Sequence, residues 1–135
     1  FYMFLKGVLT NPSKRYFEQD LKKYTQINKT TNIDKLGKIS KILSSNGIKF
    51  NVIIAPYEYQ VREGKNNINL LLPQQILSKY LSKNKIEYID MYLKFRDFTK
   101  KSSNLYLGYD PMHFSKKGHQ ILFDIISNDI NNIAY

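Results

Sequence analysis

The chain has 135 residues, 42% of them apolar, enough to bury the core of one domain over 1–135. Its 21 basic and 11 acidic residues give a net charge of +10, but 18 of the bases are lysine and 3 arginine, dispersed along the sequence. Without an arginine cluster or a recognised RNA or DNA motif, that excess argues against nucleic acid as partner, and the lack of cysteine excludes disulfides, thiolate metal sites and cysteine nucleophiles.

Taken in chain order, Phe1–Leu5 reads as a short buried strand, closed by Gly7 and the breaker Asn11-Pro12. It is too short for a membrane span of ~20 residues, and it lacks the basic flank and cleavage site of a signal peptide. Because the sequence opens inside this strand and not at a methionine, a fragment or processed product is expected. Ser13 is placed as the cap of a helix through about Tyr24, with Tyr16, Phe17 and Leu21 as its apolar stripe. A second helix over 34–45 buries Leu36, Ile39, Ile42 and Leu43 and stops at Asn46-Gly47. The β-branched run from Ile48 to Ala55, halted by Pro56, reads as a parallel strand buried on both faces. Residues 57–72 are polar and read as a loop. Pro73 opens a helix to about Asn84, Ile86–Leu93 reads as the next strand, and Arg96–Asn104 as a charged surface segment.

The alternation predicts a mixed α/β fold with a mainly parallel sheet, whose ligands sit beyond the carboxyl ends of the strands. The stretch Tyr109-Asp110-Pro111-Met112-His113-Phe114-Ser115-Lys116-Lys117-Gly118-His119 falls there. Pro111 biases Asp110 toward extended backbone, and Ser115 is placed as the cap of a final helix packed through Ile121, Leu122, Ile125, Ile126 and Ile130. A carboxylate three residues before a histidine can fix the imidazole tautomer and stabilise its cation, which is what a general base in acyl transfer needs. The plainer reading of Asp110 is an Asx turn, and the two are compatible.

Asp-x-x-His followed by Phe-Ser-x-x-Gly-His and an aliphatic helix resembles the last signature block of the SGNH/GDSL hydrolases. With Leu105–Asp110, Pro56 and Gln60-Val61, the resemblance runs over roughly residues 49–130 and favours the branch associated with cell-surface polysaccharides. It implies a flavodoxin-like three-layer fold, incomplete at its amino-terminal side. It also implies that Asp110 and His113 form the Asp-His half of a Ser-His-Asp triad in a serine esterase or O-acyltransferase. Small acyl esters, O-acetylated glycans among them, are the substrates this suggests, and an extracytoplasmic or envelope setting goes with them. No cofactor and no metal are expected. The nucleophilic serine is expected in an upstream segment or a partner chain, since no Gly-Asp-Ser or Gly-x-Ser-x-Gly turn surrounds Ser13 and Ser115 serves as a cap. The family's Gly-x-Asn-Asp block is replaced here by Gly7-Val8-Leu9-Thr10, so no oxyanion donor is assigned.

Three residues after the strand end, Tyr57, Tyr59 and Arg62, are candidates to line a sugar or acyl pocket. His119 is read as a packing residue at a helix entrance in preference to a metal ligand with Asp110 and His113. Two alternatives stand beside the enzyme: a non-catalytic SGNH-like glycan-binding or accessory domain, and a basic nucleic-acid-binding domain.

Overall fold

The computed structural model describes residues 11–26, 33–99, 104–108 and 110–133. The strand expected at Phe1–Leu5 and the Gly7–Thr10 stretch lie outside them, as does Tyr109. Helix α1, Pro12–Gln26, starts with Pro12 in its first turn and is capped by Asn11. The Asn11 Oδ1 accepts from the Ser13 and Lys14 amides at 3.0 and 3.4 Å, so the cap is two residues earlier than expected. Ser13 is instead buried inside the helix. Helix α2, Ile33–Ser45, ends where Gly47 takes a φ of 71°, and the Ile48 amide returns to the Leu43 carbonyl at 2.9 Å. Only glycine enters that left-handed turn without a Cβ penalty.

Strand β1, Asn51–Ile54, pairs in parallel with β2, Glu87–Asp90, with Asn51 opposite Glu87 and Ile54 opposite Asp90. The expected parallel neighbours are therefore present, and the fold is mixed α/β. The chain crosses between the strands through helix α3, Glu58–Glu63, a 3-10 turn at Ile68–Leu71, and helix α4, Leu72–Lys83, with Pro73 in its first turn. The loop expected at 57–72 is thus largely helical. Its order comes from polar pairing that hydrophobic periodicity does not register. The buried Gln60 side chain donates to the Leu70 carbonyl at 2.7 Å and exchanges hydrogen bonds with buried Gln74 at 2.6 and 2.8 Å.

Strand β2 is shorter than expected, because the Asp90 carboxylate accepts from the Tyr92 amide at 3.0 Å and starts helix α5, Tyr92–Thr99. Of the segment read as charged surface, Arg96–Asn104, residues 96–99 form the second half of that helix, and 100–103 lie outside the described residues. A two-residue strand β3, Tyr106–Leu107, then pairs antiparallel with β4, Asp110–Phe114, and helix α6, Lys116–Ile133, follows.

Two apolar cores lie on opposite faces of the strand pair. Val52, Ile54 and Tyr88 pack under α2 and α4 with Leu36, Leu77, Tyr80, Leu81 and Ile86. Ile89 belongs to the other core, where α3, α5, the β3–β4 hairpin and α6 contribute Val61, Met91, Phe95, Leu105, Ile121 and Ile125. Burial of β1 is uneven, against expectation: Ile54 is buried while Ile53 is 40% exposed. The alternation of a strand sends these neighbours to opposite faces, and only the Ile54 face is closed by α2 and α4.

Candidate active site

The hairpin carrying the Asp-x-x-His block is held at the carboxyl end of β1. Tyr106 on β3 is buried, and its hydroxyl donates to the Pro56 carbonyl, just past that strand, at 2.8 Å. Behind the hairpin, Phe114 stacks against Phe95 and Tyr106, with ring centroids 4.9 and 5.3 Å away. The ladder pairs Tyr106 with Phe114 and Leu107 with Asp110, so residues 111–113 bulge out of it. The block is therefore on a bulged strand, where the Pro-containing stretch before the Ser115 cap reads from sequence as a rigid turn. A bulge re-aims side chains, and this one leaves His113 with 69% of its side chain exposed.

Asp110 performs two tasks at once. Its Oδ1 accepts from the backbone amides of Met112 and His113 at 3.0 and 3.3 Å, which makes the Asx turn. Its Oδ2 lies 2.5 Å from His113 Nδ1, which puts the shared proton on Nδ1 and leaves Nε2 with its lone pair. The imidazole contact, then the Met112 amide, hold the Asp110 carboxyl below the usual carboxylate range. A group lowered in this way stabilises the fold above its unfolded pKa, and the contribution is lost as pH falls through the lowered value. In a carbon-detected NMR titration, His113→Ala should move the Asp110 midpoint upward toward an ordinary aspartate. An unchanged midpoint would mean the pair is not formed in solution.

Ser115 caps α6 as expected, its Oγ accepting from the Gly118 amide at 3.1 Å while donating to the Asn104 carbonyl at 2.5 Å. Gly118 has a packing reason to lack a side chain: a Cβ there would stand 2.1 Å from the Leu105 carbonyl oxygen. The glycine lets α6 press onto the base of the hairpin and so fixes the frame of the dyad. His119 lies edge-on to Phe114 with centroids 5.8 Å apart, a packing contact. Among the described residues no three His, Asp or Glu side chains gather as a metal site.

The aromatic candidates form a separate cluster. Phe17 of α1 packs between Tyr57 and Tyr59, at 5.7 and 5.9 Å, and Tyr57 donates its hydroxyl to Asp20. Arg62 covers the Tyr59 ring at 5.6 Å and pairs with Glu58 at 2.5 Å and Glu63 at 3.0 Å. Of the three, only Tyr57 lines the cleft of about 370 Å³ between α1, the end of β1 and the start of α4. Tyr59 and Arg62 do not, and neither Asp110 nor His113 reaches it. Sequence reasoning gave no role to Glu58, which accepts from the buried Ser13 Oγ and joins α1 to α3. Its only signal was its place in the first turn after Pro56. It likewise missed Tyr106, quoted within a longer run but not assigned the anchor it provides.

Among the described residues no helix is long and apolar enough to cross a membrane. No protein-family model, curated protein or solved structure matches the chain.

Proposed function

We propose that this chain supplies the Asp-His half of a Ser-His-Asp triad in an SGNH-type serine esterase or O-acyltransferase with a flavodoxin-like three-layer fold. One observation carries the reading: Asp110 holds His113 by Nδ1 at 2.5 Å, on a bulge that leaves the imidazole exposed. In this mechanism His113 Nε2 takes the proton of a serine hydroxyl as it attacks the ester carbonyl. It then returns the proton to the leaving alkoxide, while Asp110 stabilises the intervening imidazolium. The serine comes from chain upstream of Phe1 or from a partner chain, and small acyl esters, O-acetyl groups on glycans among them, are the substrates. The test is hydrolysis of p-nitrophenyl acetate by the protein carrying both this chain and its serine. Parental activity in His113→Ala would reject the catalytic assignment.

The 370 Å³ cleft beside Tyr57 favours a second reading, a glycan-binding domain without chemistry, because it is apart from the dyad. Glycan binding that survives in His113→Ala but is lost in Tyr57→Ala, with no ester hydrolysis by the parent, would put that reading first.

A further inference from the structure

The positive charge of this protein is distributed unevenly over its fold. Elsewhere in the fold several bases stand beside acids: Lys14 pairs with Glu18, Lys49 with Glu87, Lys94 with Asp129, and Arg96 with Asp97. Of the 11 acidic residues, only Asp34 is on α2 or α4. Those two helices form one layer, closely packed where Gly37 faces the Tyr80 hydroxyl, and they cover the same face of the strand pair. Leu36 on α2 and Leu77, Tyr80 and Leu81 on α4 point toward the strands, so the opposite sides of both helices share one outward surface.

That surface combines charge with exposed hydrocarbon. Lys35 and Lys38 of α2 flank Ile39 and Ile42, which are 43% and 64% exposed, and Lys79 and Lys83 stand on the outer ridge of α4. The sequence places Ile39 and Ile42 in the core, and the structure turns both outward. Ile39 and Ile42 are three residues apart on α2, so they adjoin on the helix surface and form one aliphatic ridge among the lysines. Neither helix contains an arginine, the side chain that grips phosphate bidentately in nucleic-acid recognition. Lysines around protruding aliphatic residues match a surface that is anionic at its headgroups and apolar just beneath.

We infer that the outer face of α2 and α4 docks on an anionic phospholipid bilayer, with the lysines at the headgroups and Ile39 and Ile42 entering the acyl boundary. The dyad hairpin packs in the core on the other side of the strand pair, so a docked molecule keeps His113 away from the lipid. The inference does not depend on ester chemistry and is tested without it.

The experiment is co-sedimentation of the full chain with vesicles of phosphatidylcholine and phosphatidylglycerol in equal parts. Pure phosphatidylcholine vesicles serve as reference, and circular dichroism confirms folding of each variant. Binding should require the anionic lipid and fade at high salt. The triple variant Lys38→Glu, Lys79→Glu, Lys83→Glu should lower partitioning by on the order of 100-fold, from about 5-fold for each lysine. A control triple of equal charge change, Lys22→Glu, Lys65→Glu, Lys116→Glu, should lose far less. Ile42→Ser should weaken binding roughly 10-fold at unchanged charge. Equal losses in the two triples would reduce the effect to net charge and overturn the proposal, as would full binding by Ile42→Ser. Tighter binding of a DNA duplex, lost in the first triple, would assign the face to nucleic acid instead.

Discussion

His113→Ala should lower kcat for ester hydrolysis by about 10⁶-fold in the protein carrying its serine, while leaving the thermal midpoint nearly unchanged. The size follows from the task. Without an imidazole no group takes the serine proton as the carbonyl is attacked, and only binding and residual electrostatics remain. Stability is spared because the ring is mostly exposed on a bulge and contributes little to either core. Asp110→Asn should cost about 10⁴-fold, less than the histidine change, because the amide offers Nδ1 the wrong partner and lets the ring take the wrong tautomer. The measurement is a kcat comparison with melting curves for all three proteins. Asp110→Asn at the parental rate would mean that the 2.5 Å contact is a turn device alone.

Phe95→Ala should destabilise the fold by about 3–5 kcal/mol and lower Tm by roughly 10–20 °C. The side chain is fully buried and touches both aromatic rings behind the dyad, Tyr106 at 6.2 Å and Phe114 at 4.9 Å. Deleting it forfeits the transfer free energy of the ring and leaves a cavity among neighbours fixed by the backbone pairing of the hairpin. Phe123→Ala is the matched control: it removes the same atoms from a residue 63% exposed, and about 0.5 kcal/mol or less is expected. Chemical denaturation of the two variants separates them. Equal midpoints would refute the placement of Phe95 at the centre of the second core.

What the sequence revealed, and what it hid, divides along a physical line. The strand pair was legible because a β-branched run ended by proline has few other destinations, and α2, α4 and α6 because their apolar residues recur at helical spacing. Helix α3 was not, since only Val61 and the neutral Gln60 are buried within it and its order depends on the amide pair of Gln60 with Gln74, fourteen residues further on. Helix α5 was concealed by its own first residues. Met91, Tyr92 and Phe95 bury at helical spacing, but Met91 and Tyr92 extend the apolar run of Ile86–Ile89, so a strand reading absorbs them. The outward turn of Ile39 and Ile42 was also hidden, because periodicity finds a stripe but does not say which stripe the rest of the chain will cover. At the site, spacing alone gave the Asp110–His113 contact, whereas the bulge that presents it needed a hairpin partner, Tyr106-Leu107, too short to read as a strand.

The phenol of Tyr106 gives the site an alkaline limit. Burial, and then the carboxylate of Glu58, push its ionisation well above that of an ordinary tyrosine. A group whose pKa is raised on folding contributes stability that is fully present below its unfolded value, about 10 for tyrosine, and that drains away as pH climbs past it. Once the proton leaves, the hydroxyl no longer donates to Pro56, and a phenolate would face a carbonyl oxygen with a carboxylate nearby. Strong base should therefore unfasten the Asp110–His113 hairpin from the end of β1, and that release should coincide with the late rise of tyrosinate absorbance that Tyr106→Phe removes.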